Sequence, residues 1–181
     1  MTISTSHAQN YVFIVLGVSG VGKSTIASSL AARIDAQFIE ADDYHSSENR
    51  KAMEQGNPLD DKMRLPWLLS LCRAAETARD GGHVVMACSA LKRQYRDLLR
   101  THIGHVQFVY LHASRDVIAR RIAERTGHFM PLSLLDTQIA ALEPPTSDEG
   151  VIKIDVSAPR SAIENEVEET AKKILCQNPS K

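Results

Sequence analysis

Apolar residues follow two rhythms along this chain. Short unbroken runs alternate with longer stretches in which apolar side chains recur every three or four positions. "YVFIVLGV" (11–18) is such a run and ends in glycine, as a strand covered on both faces would. "AQFIEA" (36–41), "HVVMAC" (83–88), "VQFVYLH" (106–112) and "VIKIDV" (151–156) read as further short strands, so five are predicted. Between them the spacing is helical. Ile26, Leu30 and Ile34 make one face, and Trp67, Leu71, Ala74 and Ala78 make another that stops at Gly81-Gly82. Leu91, Tyr95, Leu98 and Leu99 form a third. Ser114 can cap a fourth, with Asp116 in its first turn and Val117, Ile118 and Ile122 inward. A further helix is expected to end at Pro144-Pro145, and Ile163, Val167, Ala171, Ile174 and Leu175 describe a last amphipathic one.

Strands alternating with helices predict an α/β fold, a parallel sheet with helices on both faces. Right-handed crossovers place every strand's C-terminal end on one edge, where ligands bind. A single domain is expected over 11–181, after a polar, disordered tail at 1–10. Two polar stretches depart from the plain sheet: a substrate-binding insertion at about 43–66 and a lid at about 125–138.

Composition narrows the function. Lys plus Arg is 21 and Asp plus Glu is 22, a net charge of −1, which gives no sign of bulk binding to nucleic acid or a membrane surface, though it allows a local basic patch. Cys72, Cys88 and Cys176 are too few and too scattered for a disulfide framework or a metal knot. The first ten residues lack a signal peptide's basic start and apolar core, and no apolar run approaches the ~20 residues of a membrane helix. A cytoplasmic protein is expected.

The chemistry begins at "GVSGVGKST" (17–25), where Gly17-x-x-x-x-Gly22-Lys23-Ser24 matches the P-loop. Backbone groups of Gly17, Ser19, Gly20, Val21 and Gly22 would cradle phosphates at the positive end of the next helix, with Thr25 beside them. Lys23 would reach the β- and γ-phosphates of ATP, and Ser24 would ligate Mg²⁺. The Asn-Lys-x-Asp of a GTPase is missing, and so is the apolar strand ending in Asp-Glu of a motor or assembly ATPase.

"IEADDYH" follows the second strand. If strand alternation continues, Glu40 and Asp42 project to one side, on the same edge as the P-loop. Asp42 is then the candidate base for an acceptor hydroxyl, and Glu40 a ligand of Mg²⁺ through water. A solvated acidic loop, or an N-cap for a helix starting near His45, is the alternative.

The stretches "GVSGVGKST", "DDYHSSENRKAMEQGNPLDDKMRLPWL", "CSALKRQYRDLLR" and "RTGHFMPLSLLDTQIAALEPP" resemble the gluconokinase family, in order from about Tyr11 to Pro145. The resemblance implies a P-loop kinase fold, with a five-stranded parallel sheet, a helical substrate-binding insertion and a mobile lid. It also implies phosphoryl transfer from ATP to D-gluconate, and a homodimer. Asp42, His45 and Asn49 match the family's acceptor-site stretch, and Arg64 matches the arginine before Pro66-Trp67-Leu68. Gluconate is a hydroxylated anion, so Arg64 offers its carboxylate a fork. Lys92 and Arg96, four apart after the third strand, could face substrate together or form a basic solvated face pairing with Asp97. Arg121 and Arg125 correspond to lid arginines of this fold, which act on nucleotide and transferring phosphoryl group. His128 matches the lid histidine, Gly127 is a hinge candidate, and Ser157 to Pro159 lie where this fold touches adenine. Met63, Ser46, Asp43 and Tyr44 depart from the family's usual residues. Two other readings stay open: a kinase of another small hydroxy acid such as shikimate, and a non-catalytic nucleotide-binding sensor.

Overall fold

The computed structural model describes residues 10–124 and 132–177. Its centre is strand β1 (Val12–Leu16), each residue of which is fully buried. β2 (Gln37–Glu40), β3 (Val84–Ala87), β4 (Val106–His112) and β5 (Ile152–Asp155) complete one sheet in the order β2-β3-β1-β4-β5, all neighbours parallel. Val12 is in register with Val84 on one side and Val106 on the other. The chain therefore leaves β1 for the edge strand β2, returns through β3, and only then crosses to β4. That reversal puts the turn after β1 at the switch point of the sheet, where a crevice opens.

Side-chain alternation along β1 divides the core in two. Phe13 and Val15 pack with α1 (Lys23–Arg33), α5 (Arg115–Ala123), α6 (Leu132–Ala141) and α7 (Arg160–Gln177). Val12, Ile14 and Leu16 face Trp67, Leu68 and Leu71 of α3 (Asp61–Arg79) and Tyr95 and Leu99 of α4 (Arg93–His102). All five expected strands are present, and helices cover both faces.

The insertion is helical, as expected. α2 (Ser47–Glu54) begins after Ser46, whose Oγ accepts from the Asn49 N–H at 3.1 Å. α3 begins at Asp61, six residues before the Trp67 that marked it in sequence, capped by Asp60, which accepts from the Met63 N–H at 2.8 Å. Pro66 thus sits inside a helix, past its first turn, where it cannot donate to the Lys62 carbonyl four residues back. The described part of the expected lid, 132–138, belongs to α6, and Leu135 there is fully buried. The expected tail lies outside the described residues except for Asn10, whose amide donates to the Arg79 carbonyl at 2.7 Å.

Arg96 corrects the sequence reading. It was a substrate candidate, yet it is fully buried in the scaffold. Its Nε and Nη2 donate to the two Glu149 carboxylate oxygens at 2.6 and 2.8 Å, and Nη1 donates to the Ala90 and Leu91 carbonyls. Helical spacing put it beside Lys92, but Lys92 is the N-cap of α4 with extended backbone, so the two do not share a helical face. Arg96 instead ties α4 to the 146–150 turn ahead of β5, where Thr146 and Glu149 form a capping box.

Removing one member of a buried pair strands the other, so Arg96→Leu should lower unfolding free energy by about 3–5 kcal/mol in denaturant titrations. The Arg96 guanidinium also holds the Glu149 carboxyl below its ordinary range. Its contribution is present above the unfolded carboxyl's pKa and lost as pH falls through the lowered value. Acid unfolding of Glu149→Gln should accordingly be less steep than wild type.

Candidate functional site

The turn leaving β1 is shaped by close approach. Gly20 has φ +83°, and a Cβ there would lie 2.5 Å from Cγ1 of Ile122 on α5. A Cβ on Gly17 would lie 2.6 Å from the Leu111 carbonyl oxygen of β4. Only glycine at both positions lets the loop lie this low against the sheet. Gly22, also at positive φ, is the N-cap of α1, so the helix's unpaired N–H groups open into the turn. Lys23 Nζ lies 3.1 Å from the Val18 carbonyl, folded back over the loop, and Ser24 is exposed in the first turn.

Beside this loop is a cleft of about 380 Å³. Gly20, Gly22, Thr25, Arg121, Val156 and Arg160 line it. Arg121 is fixed there by donating from Nη2 to the Val156 carbonyl. The structure thus brings Gly20, Val21, Gly22, Thr25 and Arg121 together around one cavity. Its size suits a small ligand. The end of β5, which precedes Ser157 to Pro159, is its far wall. Arg125, Gly127 and His128 lie outside the described residues.

The acidic turn is built differently from the expected alternation. β2 ends at Glu40, and Ala41–Tyr44 is a 3₁₀ turn. Strand alternation therefore does not reach Asp42. Glu40 is half-buried, while the Asp42 side chain is 81% exposed. The turn is held from behind by Trp67, whose indole N–H donates to the Ala41 carbonyl at 2.8 Å.

His45 is not the surface residue its sequence context allowed. Its side chain is 3% exposed and stacks on Trp67, with ring centroids 4.3 Å apart. Nε2 stands 3.9 Å from Asp42 Oδ1, while the buried Nδ1 lacks a hydrogen-bond partner among the described residues. Burial lowers the imidazole's pKa, only partly opposed by Asp42, and Arg64 and Arg50 lower it further. Asn49 is also buried, and its amide donates to the Met63 carbonyl at 3.1 Å, joining α2 to α3.

Arg64 and Lys92 come together over one ring. The Arg64 guanidinium is 5.9 Å from the Tyr95 centroid, and Lys92 Nζ is 5.7 Å from it. Arg64 Nε donates to the Leu59 carbonyl at 3.1 Å. Asp61, which sequence reasoning passed over, organises this group. It accepts from Lys92 Nζ at 2.7 Å, from Gln94 at 2.9 Å and from the Tyr95 hydroxyl. Those bonds, Lys92's first, hold its carboxyl at about 2. Its position three residues before Arg64 on α3 was the available signal, obscured because α3 was expected to begin later.

Gln138 of α6 was also missed. Its Oε1 accepts from the Ser19 N–H at 2.7 Å, and its Nε2 donates to Ser19 Oγ at 2.9 Å. An isolated glutamine on a helix carries no sequence signal of a contact 119 residues away.

The two halves of the site meet at the end of β3. Cys88 is fully buried there, and burial pushes its thiol up to about 12. Asp42 adds to that rise while Lys23 and Arg64 oppose it. Because β3 lies between β1 and β2, the turns that leave those two strands stand on either side of it. The adjoining Ser89 carbonyl accepts from the Gly17 N–H at 3.4 Å. A phosphate loop, an exposed carboxylate and a cationic pair thus share one sheet edge. Among the described residues, no group of three or more His, Cys, Asp or Glu side chains could hold a metal by itself.

Comparison with known proteins places this arrangement. A family model described as "AAA domain" matches residues 12–145. A probable gluconokinase of Xenopus tropicalis is 43% identical, over 87% of this chain and 91% of its own length. The thermosensitive gluconokinase of Escherichia coli K12 is 45% identical, over 80% of this chain and 79% of its own. The crystal structure of a gluconokinase from Sinorhizobium meliloti 1021 superposes with a TM-score of 0.82 at 40% identity, covering 95% of this chain and 99% of that one.

Since burial outweighs the pull of Asp42, an NMR titration of the His45 imidazole should give a midpoint below 6.5. A midpoint above that value would mean that Asp42 dominates. Because the folded pKa is the lower one, His45 favours folding least in acid, as pH drops below the unfolded value.

Proposed function

The chain belongs to the gluconokinase family, and on that footing we propose that it moves the γ-phosphoryl group of ATP to the 6-hydroxyl of D-gluconate. The products are 6-phospho-D-gluconate and ADP. The observation that carries this reading is the strand order β2-β3-β1, which sets the phosphate loop with Lys23 and the turn bearing Asp42 on one edge of the sheet, either side of β3. A nucleotide clip alone would not need an exposed carboxylate and a cation beside its phosphate loop.

Each side chain then has a task. Backbone N–H groups at the start of α1 hold the phosphates, and Lys23 swings from Val18 to the β- and γ-phosphoryl oxygens. Arg121, on the wall of the nucleotide cleft, offsets charge on the phosphates, and Arg125 is its proposed companion. Asp42 accepts the proton of the attacking hydroxyl as the new P–O bond forms. His45, neutral and stacked on Trp67, stands beside that carboxylate and limits where the acceptor can lie. Arg64 and Lys92 take the gluconate carboxylate, with Asp61 as the internal anion that keeps Lys92 in place until substrate arrives. His128 completes the proposed acceptor contacts. Asn49 acts by joining α2 to α3 beneath them.

The donor set fits Mg²⁺. A single exposed hydroxyl, Ser24, and one half-buried carboxylate, Glu40, are too few for a dedicated cage. Magnesium is commonly held by so few protein groups, completed by water and substrate phosphates. When bound it neutralises charge on the β- and γ-phosphoryl oxygens. A homodimer belongs to the same reading and rests on the family resemblance, while a cytoplasmic location rests on composition and cysteine usage.

ADP release should be measured with ATP-Mg²⁺ and gluconate, shikimate, glycerate or AMP in turn. Turnover is expected with gluconate, and turnover with AMP or shikimate instead would replace this acceptor assignment. Asp42→Asn should keep nucleotide affinity and lose about 10²–10⁴-fold in kcat, the usual worth of a general base. Near-normal turnover of that variant would remove Asp42 from the role.

A further inference from the structure

Gln138 lies on the inward face of α6, between residues that pack into the core. Leu135 is fully buried, and Ile139 and Leu142 pack against the same cluster. A glutamine among them needs polar partners, and both its amide groups find them on one residue, Ser19. The amide's orientation follows from chemistry. A backbone N–H can only donate, so it must face Oε1, and Nε2 must then face the Ser19 hydroxyl.

This has two consequences for the phosphate loop. The Ser19 N–H is spent on Gln138 and is withheld from phosphate. The Ser19 oxygen, by accepting from the amide, keeps its own proton for another acceptor. Ser19 lies between Gly17 and Gly20, in the loop that receives the triphosphate, so the acceptors arriving there are phosphoryl oxygens. The helix that carries the clasp is also tied to its neighbours. Arg115 of α5 grips Asp136 of α6 through two bonds, at 2.7 and 3.0 Å. Just past α6, the Glu143 N–H donates to the Leu91 carbonyl and its carboxylate accepts from the Arg93 N–H.

We propose that Gln138 is a positioning residue for phosphoryl transfer: it aims the Ser19 hydroxyl proton at the γ-phosphoryl oxygens of the bound nucleotide. Ser19 is the group that touches the reacting phosphoryl, and Gln138 acts through it. The proposal rests on the kinase reading but not on the identity of the acceptor.

The test compares the full-length Ser19→Ala, Gln138→Leu and Gln138→Glu variants and the Ser19→Ala/Gln138→Leu double variant. Wild type is assayed first, with gluconate. If it turns over another acceptor instead, that acceptor is used, and only the substrate assignment fails. Ser19→Ala should lose about 100-fold in kcat, the scale of one lost transition-state donor, and Gln138→Leu about tenfold, since the hydroxyl remains but is no longer aimed. The double variant should be no worse than Ser19→Ala, because the glutamine acts only through the serine. In calorimetry, both single variants should weaken a non-hydrolysable ATP analogue more than ADP. Gln138→Glu keeps the shape and guards against a folding artefact. Its kcat relative to wild type should rise as pH falls, when the protonated carboxyl regains a donor.

A Gln138→Leu variant within about twofold of wild type would overturn the proposal, as would single losses that multiply in the double variant. Equal weakening of ATP analogue and ADP, or a flat relative pH profile for Gln138→Glu, would assign Gln138 to packing alone.

Discussion

β1 leaves the middle of the sheet with no side exposed, and its chain must become a helix within space bounded by Leu111 and Ile122. Nothing with a Cβ can make that turn at Gly17 or Gly20. This steric limit comes before any ligand. It keeps the loop pressed against β4 and α5 and leaves the first N–H groups of α1 facing an open cleft. The sheet order then supplies the rest of the site, because β3 lies next to β1 and β2 next to β3. The ends of those strands bring Cys88 and the turn bearing Asp42 to the same edge as Lys23.

The helical insertion does for the acceptor side what glycine does for the phosphate side. α3 starts early, at Asp61, and so carries Arg64 and Trp67 at its beginning. Trp67 holds the acidic turn by its indole N–H and covers His45 with its ring. Asp61 reaches across to the start of α4 and fixes Lys92. Position on this side depends on hydrogen bonds between helix starts rather than on the sheet.

Much of this could be read from residue order. Apolar runs located β1, β3 and β4, which lie inside the sheet, while the edge strands β2 and β5 showed only as short alternating segments. The glycine and lysine spacing located the phosphate loop, because few other residues tolerate that backbone. Pattern reading failed where polar residues are satisfied internally. Arg96 reads as a solvent-facing cation until Glu149, 53 residues away, is brought beside it. Gln138 was invisible for the same reason, since its partner is 119 residues away, and Asp61 was passed over because α3 was expected to begin after it. Alternation misled at Asp42 because the strand stops at Glu40. The start of α3 was misplaced because its first turn is polar and Pro66 reads as a breaker.

Cys88 has a bearing on how the enzyme meets its surroundings. A thiol beside a lysine and an arginine is ordinarily primed to ionise, and thiolates are what oxidants attack. Here enclosure wins over the neighbouring cations, and the sulfur stays protonated and covered. The one cysteine at the sheet edge where phosphate would change hands is thereby shielded from oxidative chemistry. Among the three cysteines only Cys176, near the end of α7, is exposed to it.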